Sequence, residues 1–84
     1  MYFTYILECV DKTLYVGATN DLARRLEQHN HSKSGAHYTK IRRPVVLKYQ
    51  EIFETLKESR KRESELKKLN RAKKLELIKN NKTD

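Results

Sequence analysis

The stretch Tyr2-Phe3-Thr4-Tyr5-Ile6-Leu7, Val10-Asp11-Lys12-Thr13, Leu14-Tyr15-Val16 sets two runs of strand character on either side of a turn-like segment. That pattern predicts a β-hairpin, and a hairpin brings Tyr5 and Tyr15 near each other. Thr19 or Asn20 then offers a helix N-cap, and Leu22, Leu26 and His29 follow at helical spacing, which places a helix over about residues 21–30. Arg25 falls among these residues around the helix, so the inner face is only half apolar and the other half is expected to border a cleft.

Beyond a segment of loop composition, His31-Ser32-Lys33-Ser34-Gly35-Ala36-His37, Pro44 opens a third strand over Val45 to Phe53 in which Val45, Leu47, Tyr49 and Phe53 alternate. Thr55 with Glu58 three residues on forms a capping box, so a long helix is expected to about Leu69. Asn70 permits a break before a last helix with Leu69, Ala72, Leu75 and Ile78 inward. The layout is β-β-α-β-α-α, an α+β fold with a small, largely antiparallel three-stranded sheet and flanking helices. One domain over residues 1–79 is expected, with residues 80–84 a frayed tail, since Asn80-Asn81-Lys82-Thr83-Asp84 has no apolar anchor.

Eighty-four residues leave room for one modest core and no second folded unit. Nineteen Lys and Arg against eleven Asp and Glu give a formal charge of +8, and between Arg24 and Lys48 seven basic residues are opposed only by Glu27. Such a cluster suits phosphate, although a solvated basic surface or a ribosome-bound protein has the same composition. Cys9 is the only cysteine, so no intramolecular disulfide and no Cys-rich zinc site can form. The sequence has no secretion-like head and no apolar run of membrane-spanning length, so a cytoplasmic chain is expected, with no membrane partner and a monomer as the default.

Several residue types point toward phosphodiester chemistry. Arg25 and His29 stand four apart on a helix and can converge on one anion, for which phosphate is the obvious candidate. The planar fork of Arg25 matches two phosphate oxygens, while His29 could orient or deprotonate water, contact phosphate, or be a bystander. Glu63 lies between Leu56 and Leu66 on the stripe expected to face the core, where a carboxylate needs compensation; a salt bridge to Arg25 or to a neighbouring Lys is the simple explanation. Tyr5 and Tyr15 read as core aromatics or as reactive phenols, and the second role requires a nearby cation to lower a pKa near ~10. Gly17 fits either a bulge or a backbone that must not obstruct the exit into the helix or the phosphate. Arg24, Tyr38, Lys40, Arg42 and Arg43 combine cations with a ring and could grip nucleic acid, or form a mobile basic loop.

The ordered set Tyr5-Ile6-Leu7, Tyr15-Val16-Gly17, Asp21-Leu22-Ala23-Arg24-Arg25-Leu26, His29-Asn30, Tyr38-Thr39, Arg43-Pro44-Val45 and Arg62-Glu63 resembles the GIY-YIG nuclease domain, in particular its small stand-alone branch of the UPF0213 type. The resemblance implies the same fold and a metal-dependent endonuclease. Tyr5, Tyr15, Arg25, His29 and Glu63 would be its catalytic positions, and Glu63 the ligand of one Mg²⁺ or Mn²⁺. It also implies nucleic acid as partner, more readily DNA, with a weakly cleaving binding module as the alternative. Thr4-Tyr5-Ile6 and Tyr15-Val16-Gly17 depart from the namesake triplets yet keep the tyrosines and the second glycine. Ala18 stands where some relatives carry lysine, and Asn70 lies too close to Glu63 to take the role of a functional asparagine found in some relatives.

Overall fold

In a computed structural model that describes residues 1–31 and 37–80, the chain runs β1 (Tyr2–Glu8), β2 (Leu14–Thr19), α1 (Leu22–His31), α2 (His37–Lys40), β3 (Val46–Phe53), α3 (Leu56–Lys68) and α4 (Arg71–Asn80). The expected hairpin forms. Cys9 N donates to Thr13 O at 2.9 Å, Lys12 takes a positive φ of 72°, and Asp11 Oδ1 accepts from the backbone N and the hydroxyl of Thr13 at 3.1 and 2.6 Å. An aspartate folding onto the backbone two residues ahead is the usual means of fixing such a turn.

The sheet is antiparallel in the order β2-β1-β3. Central β1 is buried on both faces. Tyr5, Leu7 and Cys9 pack with Val45, Tyr15, Leu22, Leu26 and Leu47 on the α1 side, while Ile6 packs with Val16, Tyr49, Leu66, Leu69, Leu77 and Ile78 on the side of α3 and α4. Each fully buried Leu or Ile contributes about 1.5–3 kcal/mol, so these two half-cores hold a domain of this size.

Four local expectations change. The β1–β3 register pairs Ile6 with Tyr49 but Leu7 with Leu47, a bulge that leaves Lys48 over. Leu47 and Tyr49 therefore point to opposite faces of the sheet instead of sharing one, as simple alternation would require. Asp21, not Thr19 or Asn20, caps α1: its Oδ1 accepts from Arg24 N at 3.1 Å. The turn α2 begins at His37, the last residue of the segment read as loop, and continues into the residues read as a basic loop; Ser32–Ala36 lie outside the described residues. In α4 the inward residues are Leu77 and Ile78, whereas Ala72 and Leu75 are exposed.

Helix α3 begins as expected. Thr55 and Glu58 exchange the reciprocal bonds of a capping box, and Asn70 Oδ1 then accepts from Lys73 N at 2.9 Å to start α4. Asn80 is the last residue of α4, and the remainder of the expected tail lies outside the described residues. Arg71 ties α4 to the hairpin by donating to Lys12 O at 2.6 Å.

Candidate active site

The hairpin register fixes the geometry of the site. Tyr5 is the cross-strand partner of Gly17, and Leu7 is the partner of Tyr15, so Tyr5 and Tyr15 are diagonal neighbours on the α1 face. The Tyr5 ring lies across Gly17: a Cβ built there would come within 2.6 Å of Tyr5 Cζ and 3.1 Å of Cε1. Glycine is thus required by the phenol of its partner strand.

His29 is fully buried between the two tyrosines. Its ring centroid stands 5.9 Å from that of Tyr5 and 5.2 Å from that of Tyr15, edge-on to both. Nε2 is 2.9 Å from the Tyr5 hydroxyl and Nδ1 is 2.7 Å from Thr39 Oγ1. Burial, reinforced by the charges of Arg25 and Arg43, holds His29 down at about 4. The ring is therefore neutral: with the Tyr5 hydroxyl donating to Nε2, Nδ1–H donates to Thr39. Both ring nitrogens of His29 thus have protein partners, and His29 and Arg25 converge on the Tyr5 phenol.

Tyr5 itself is 1% exposed, and burial pushes its phenol up to about 12 against the opposing hydrogen bond and charge of Arg25. The Glu63 carboxylate acts in the same direction as burial, so it too disfavours the phenolate. Arg25 is half-buried, and its Nη1 donates to Gln28 at 3.0 Å. Glu63 sits on the shoulder of the buried stripe of α3 with its side chain 21% exposed, and Lys67 Nζ is 3.2 Å from Oε2. The salt bridge anticipated for Glu63 is thus made by Lys67.

A profile of the GIY-YIG catalytic domain matches residues 1–76. The chain belongs to the GIY-YIG family. It is 53% identical over 79 residues to a UPF0213 protein of Syntrophus aciditrophicus, spanning 94% of this chain and 91% of that one. It is likewise 53% identical over 78 residues to a UPF0213 protein of Staphylococcus aureus, spanning 93% and 94%. Two solution NMR structures share the fold. The UPF0213 protein from Bacillus halodurans superposes with a TM-score of 0.61 at 39% identity, covering 96% of this chain and 86% of that one. A protein from E. faecalis superposes with a TM-score of 0.63 at 38% identity, covering 94% and 83%.

GIY-YIG nucleases generally depend on a divalent cation, and Glu63 is the residue to test for one. Among the described residues no three His, Cys, Asp or Glu side chains cluster, and Glu63 is the one carboxylate there that the family resemblance assigns to the ion. That fits a hard ion which keeps most of its waters and completes its shell on substrate phosphate. The carboxylate already faces a cation, the Lys67 ammonium, so positive charge is accommodated at that place.

The expected basic grip is largely engaged within this GIY-YIG fold. Arg42 pairs with Asp11 at 3.1 Å and stacks 4.0 Å over the Tyr38 ring, which leans on Tyr15 with centroids 5.9 Å apart. Arg43 donates to the carbonyls of His29 and Gln28 at 2.5 and 3.2 Å and so closes the end of α1. Lys48 faces Glu8 at 3.9 Å. Arg24 is exposed in the first turn of α1 and Lys40 ends α2, half-buried. The negative partners Asp11 and Glu8 come from the hairpin, not from the basic segment. Lys33, the remaining member of the cluster, lies outside the described residues.

Sequence reasoning did not assign Thr39 or Asn30 a part. Thr39 is fully buried on His29, and Asn30 clasps Val45 by accepting from its N at 2.8 Å and donating to its O at 3.1 Å. No local signal ties residues ten or fifteen positions apart, so neither contact was legible.

Two predictions follow from this geometry. Gly17→Ala is expected to displace the Tyr5 ring and cost about 1–3 kcal/mol, the usual penalty of overpacking, read by urea unfolding; unchanged stability would mean that the ring has room to move. His29 is held below its unfolded value of 6.5, at about 4, so its contribution is complete above the unfolded value and is lost as pH falls from there through the folded one. Wild-type protein is expected to lose about 3 kcal/mol over that window from this group. His29→Gln should lack that component, and denaturant unfolding of both at several pH values checks it.

Proposed function

We propose that the chain is a metal-dependent endonuclease that hydrolyses phosphodiester bonds in DNA. The observation that carries this reading is the Tyr5 phenol, which is hydrogen-bonded to His29 and also to the Arg25 guanidinium. A core tyrosine needs none of these partners.

In this mechanism Arg25 binds the scissile phosphate and offsets charge developing on its oxygens. Tyr5 accepts a proton from the attacking water as its own proton passes to His29 Nε2, and Thr39 keeps the imidazole in the tautomer that leaves Nε2 free to accept. Tyr15, half-buried and in edge contact with His29, hydrogen-bonds the phosphate. A divalent cation, when bound at Glu63, supplies charge that stabilises the leaving oxygen and favours the phenolate. Without such help the transfer is strongly uphill, because burial raises the Tyr5 phenol and lowers the His29 imidazole. The free protein is therefore at rest, and Tyr5 becomes a base only with substrate and cation in place.

The burial of Tyr5 favours one rival, a nucleic-acid-binding module that cleaves weakly or not at all. A panel of single-stranded, duplex, branched and RNA substrates incubated with Mg²⁺, Mn²⁺ or EDTA separates the two. Cation-dependent cleavage of DNA is the expected result, and binding without cleavage in every lane would establish the rival.

A further inference from the structure

Helix α3 carries a second cationic surface that adjoins Glu63 and is independent of the basic segment between Arg24 and Lys48. Arg60, Glu63, Ser64, Lys67 and Lys68 recur at spacings of three and four, so they share one face of the helix. Together they line a shallow depression of about 390 Å³. Ser59 and Leu66 point the other way into the core, and Arg62 is occupied on the far flank with Glu51 and Glu65 at 3.0 and 3.2 Å. Glu63 thus stands at the seam between the buried stripe and this outer face. Among the described residues Arg60 and Lys68 are exposed and have no ion-pair partner, unlike Arg42 and Lys48, while Arg43 is held by the carbonyls at the end of α1.

We propose that this face of α3 is a phosphate track: Arg60 and Lys68, with Ser64 between them, hold backbone phosphates of the nucleic-acid strand next to the one at Arg25, on the Glu63 side of the site. Three properties lead there. The cations are unneutralised, so contact with phosphate leaves no carboxylate unpaired. Ser64 provides a hydroxyl donor between two positive charges, a set suited to a non-bridging phosphate oxygen. The depression also opens beside the carboxylate assigned to the cation, so a strand that passes Glu63 must cross this face. The direction of the strand rests on the nuclease reading, whereas the phosphate contact itself does not.

The test compares two double substitutions of equal charge change at exposed sites, Arg60→Gln with Lys68→Gln on α3, and Lys73→Gln with Lys79→Gln on α4. Affinity for a fluorescein-labelled duplex DNA is measured in EDTA at several salt concentrations by anisotropy, with thermal unfolding as the check on folding. The α3 pair is expected to lower the log–log salt slope by close to two, since each duplex phosphate contact contributes about 0.9. The α4 pair should leave it nearly unchanged. Equal effects of both pairs would show a diffuse charge effect and overturn the track, as would an unchanged slope in the α3 pair. Wild-type protein that binds with a normal slope but never cleaves would remove the nuclease reading and leave the track standing. Wild-type protein that does not bind DNA would overturn both.

Discussion

Glu63→Gln is expected to abolish cation-stimulated cleavage while leaving the fold and DNA affinity in place. The amide keeps the volume and the helix position but removes the charge that would hold a hard ion. Among the described residues the partner lost is Lys67, whose side chain is half-exposed and can return to water, so stability should change by no more than about 1 kcal/mol. If Glu63 were only a salt-bridge partner, the same variant would keep full activity per folded molecule. Thermal unfolding run beside cleavage distinguishes the outcomes.

The second large effect concerns the phenols. Tyr5→Phe is expected to lower the single-turnover rate by about 10²–10⁴, the usual range for loss of a general base, because it removes the hydroxyl bonded to His29 Nε2. Tyr15→Phe should cost less, as one phosphate hydrogen bond is lost. Both variants keep the rings and their edge contacts with His29, so packing alone cannot explain a rate loss. Tyr5→Phe also leaves His29 Nε2 without its partner in a buried place, which is expected to cost some stability but not the fold. Near-normal rates in both variants would reject a phenol-based mechanism.

Local chemistry was legible in the sequence where one segment settles its own structure. The Asp11–Thr13 turn, the Thr55–Glu58 box and the Asn70 break need only neighbours within a few residues, and each forms. Alternation failed at Lys48 because a bulge is a property of two strands: the register of β1 against β3, not the sequence of β3, sends Tyr49 to the far face. The apolar stripe of α4 was misphased because it was counted from Leu69, which ends α3; the cap at Asn70 starts a new helix with its own phase. At the start of α1 the reading stopped at Thr19 or Asn20, because Asp21, the residue that caps, is an equally good cap former next in line.

The site divides along the same line. Tyr5, Tyr15, Arg25, His29 and Glu63 could be singled out by residue type and spacing, yet their relations could not. That His29 is a buried partner of Tyr5 instead of a surface companion of Arg25 depends on Thr39, and that Arg42 and Arg43 are tied down depends on Asp11 and on carbonyls of α1. Charge counted along the chain therefore overstated the free cations near α2 and overlooked those on α3.

The central claim, cation-dependent hydrolysis with Tyr5 as the base, is tested most directly by single-turnover cleavage of the best DNA substrate by wild-type protein, Tyr5→Phe and Glu63→Gln, each with Mg²⁺ and with EDTA. The expected result is cleavage by wild-type protein with Mg²⁺ alone, with both variants slower by about 10² or more. Cleavage that persists in EDTA, or that is equal in all three proteins, would contradict it.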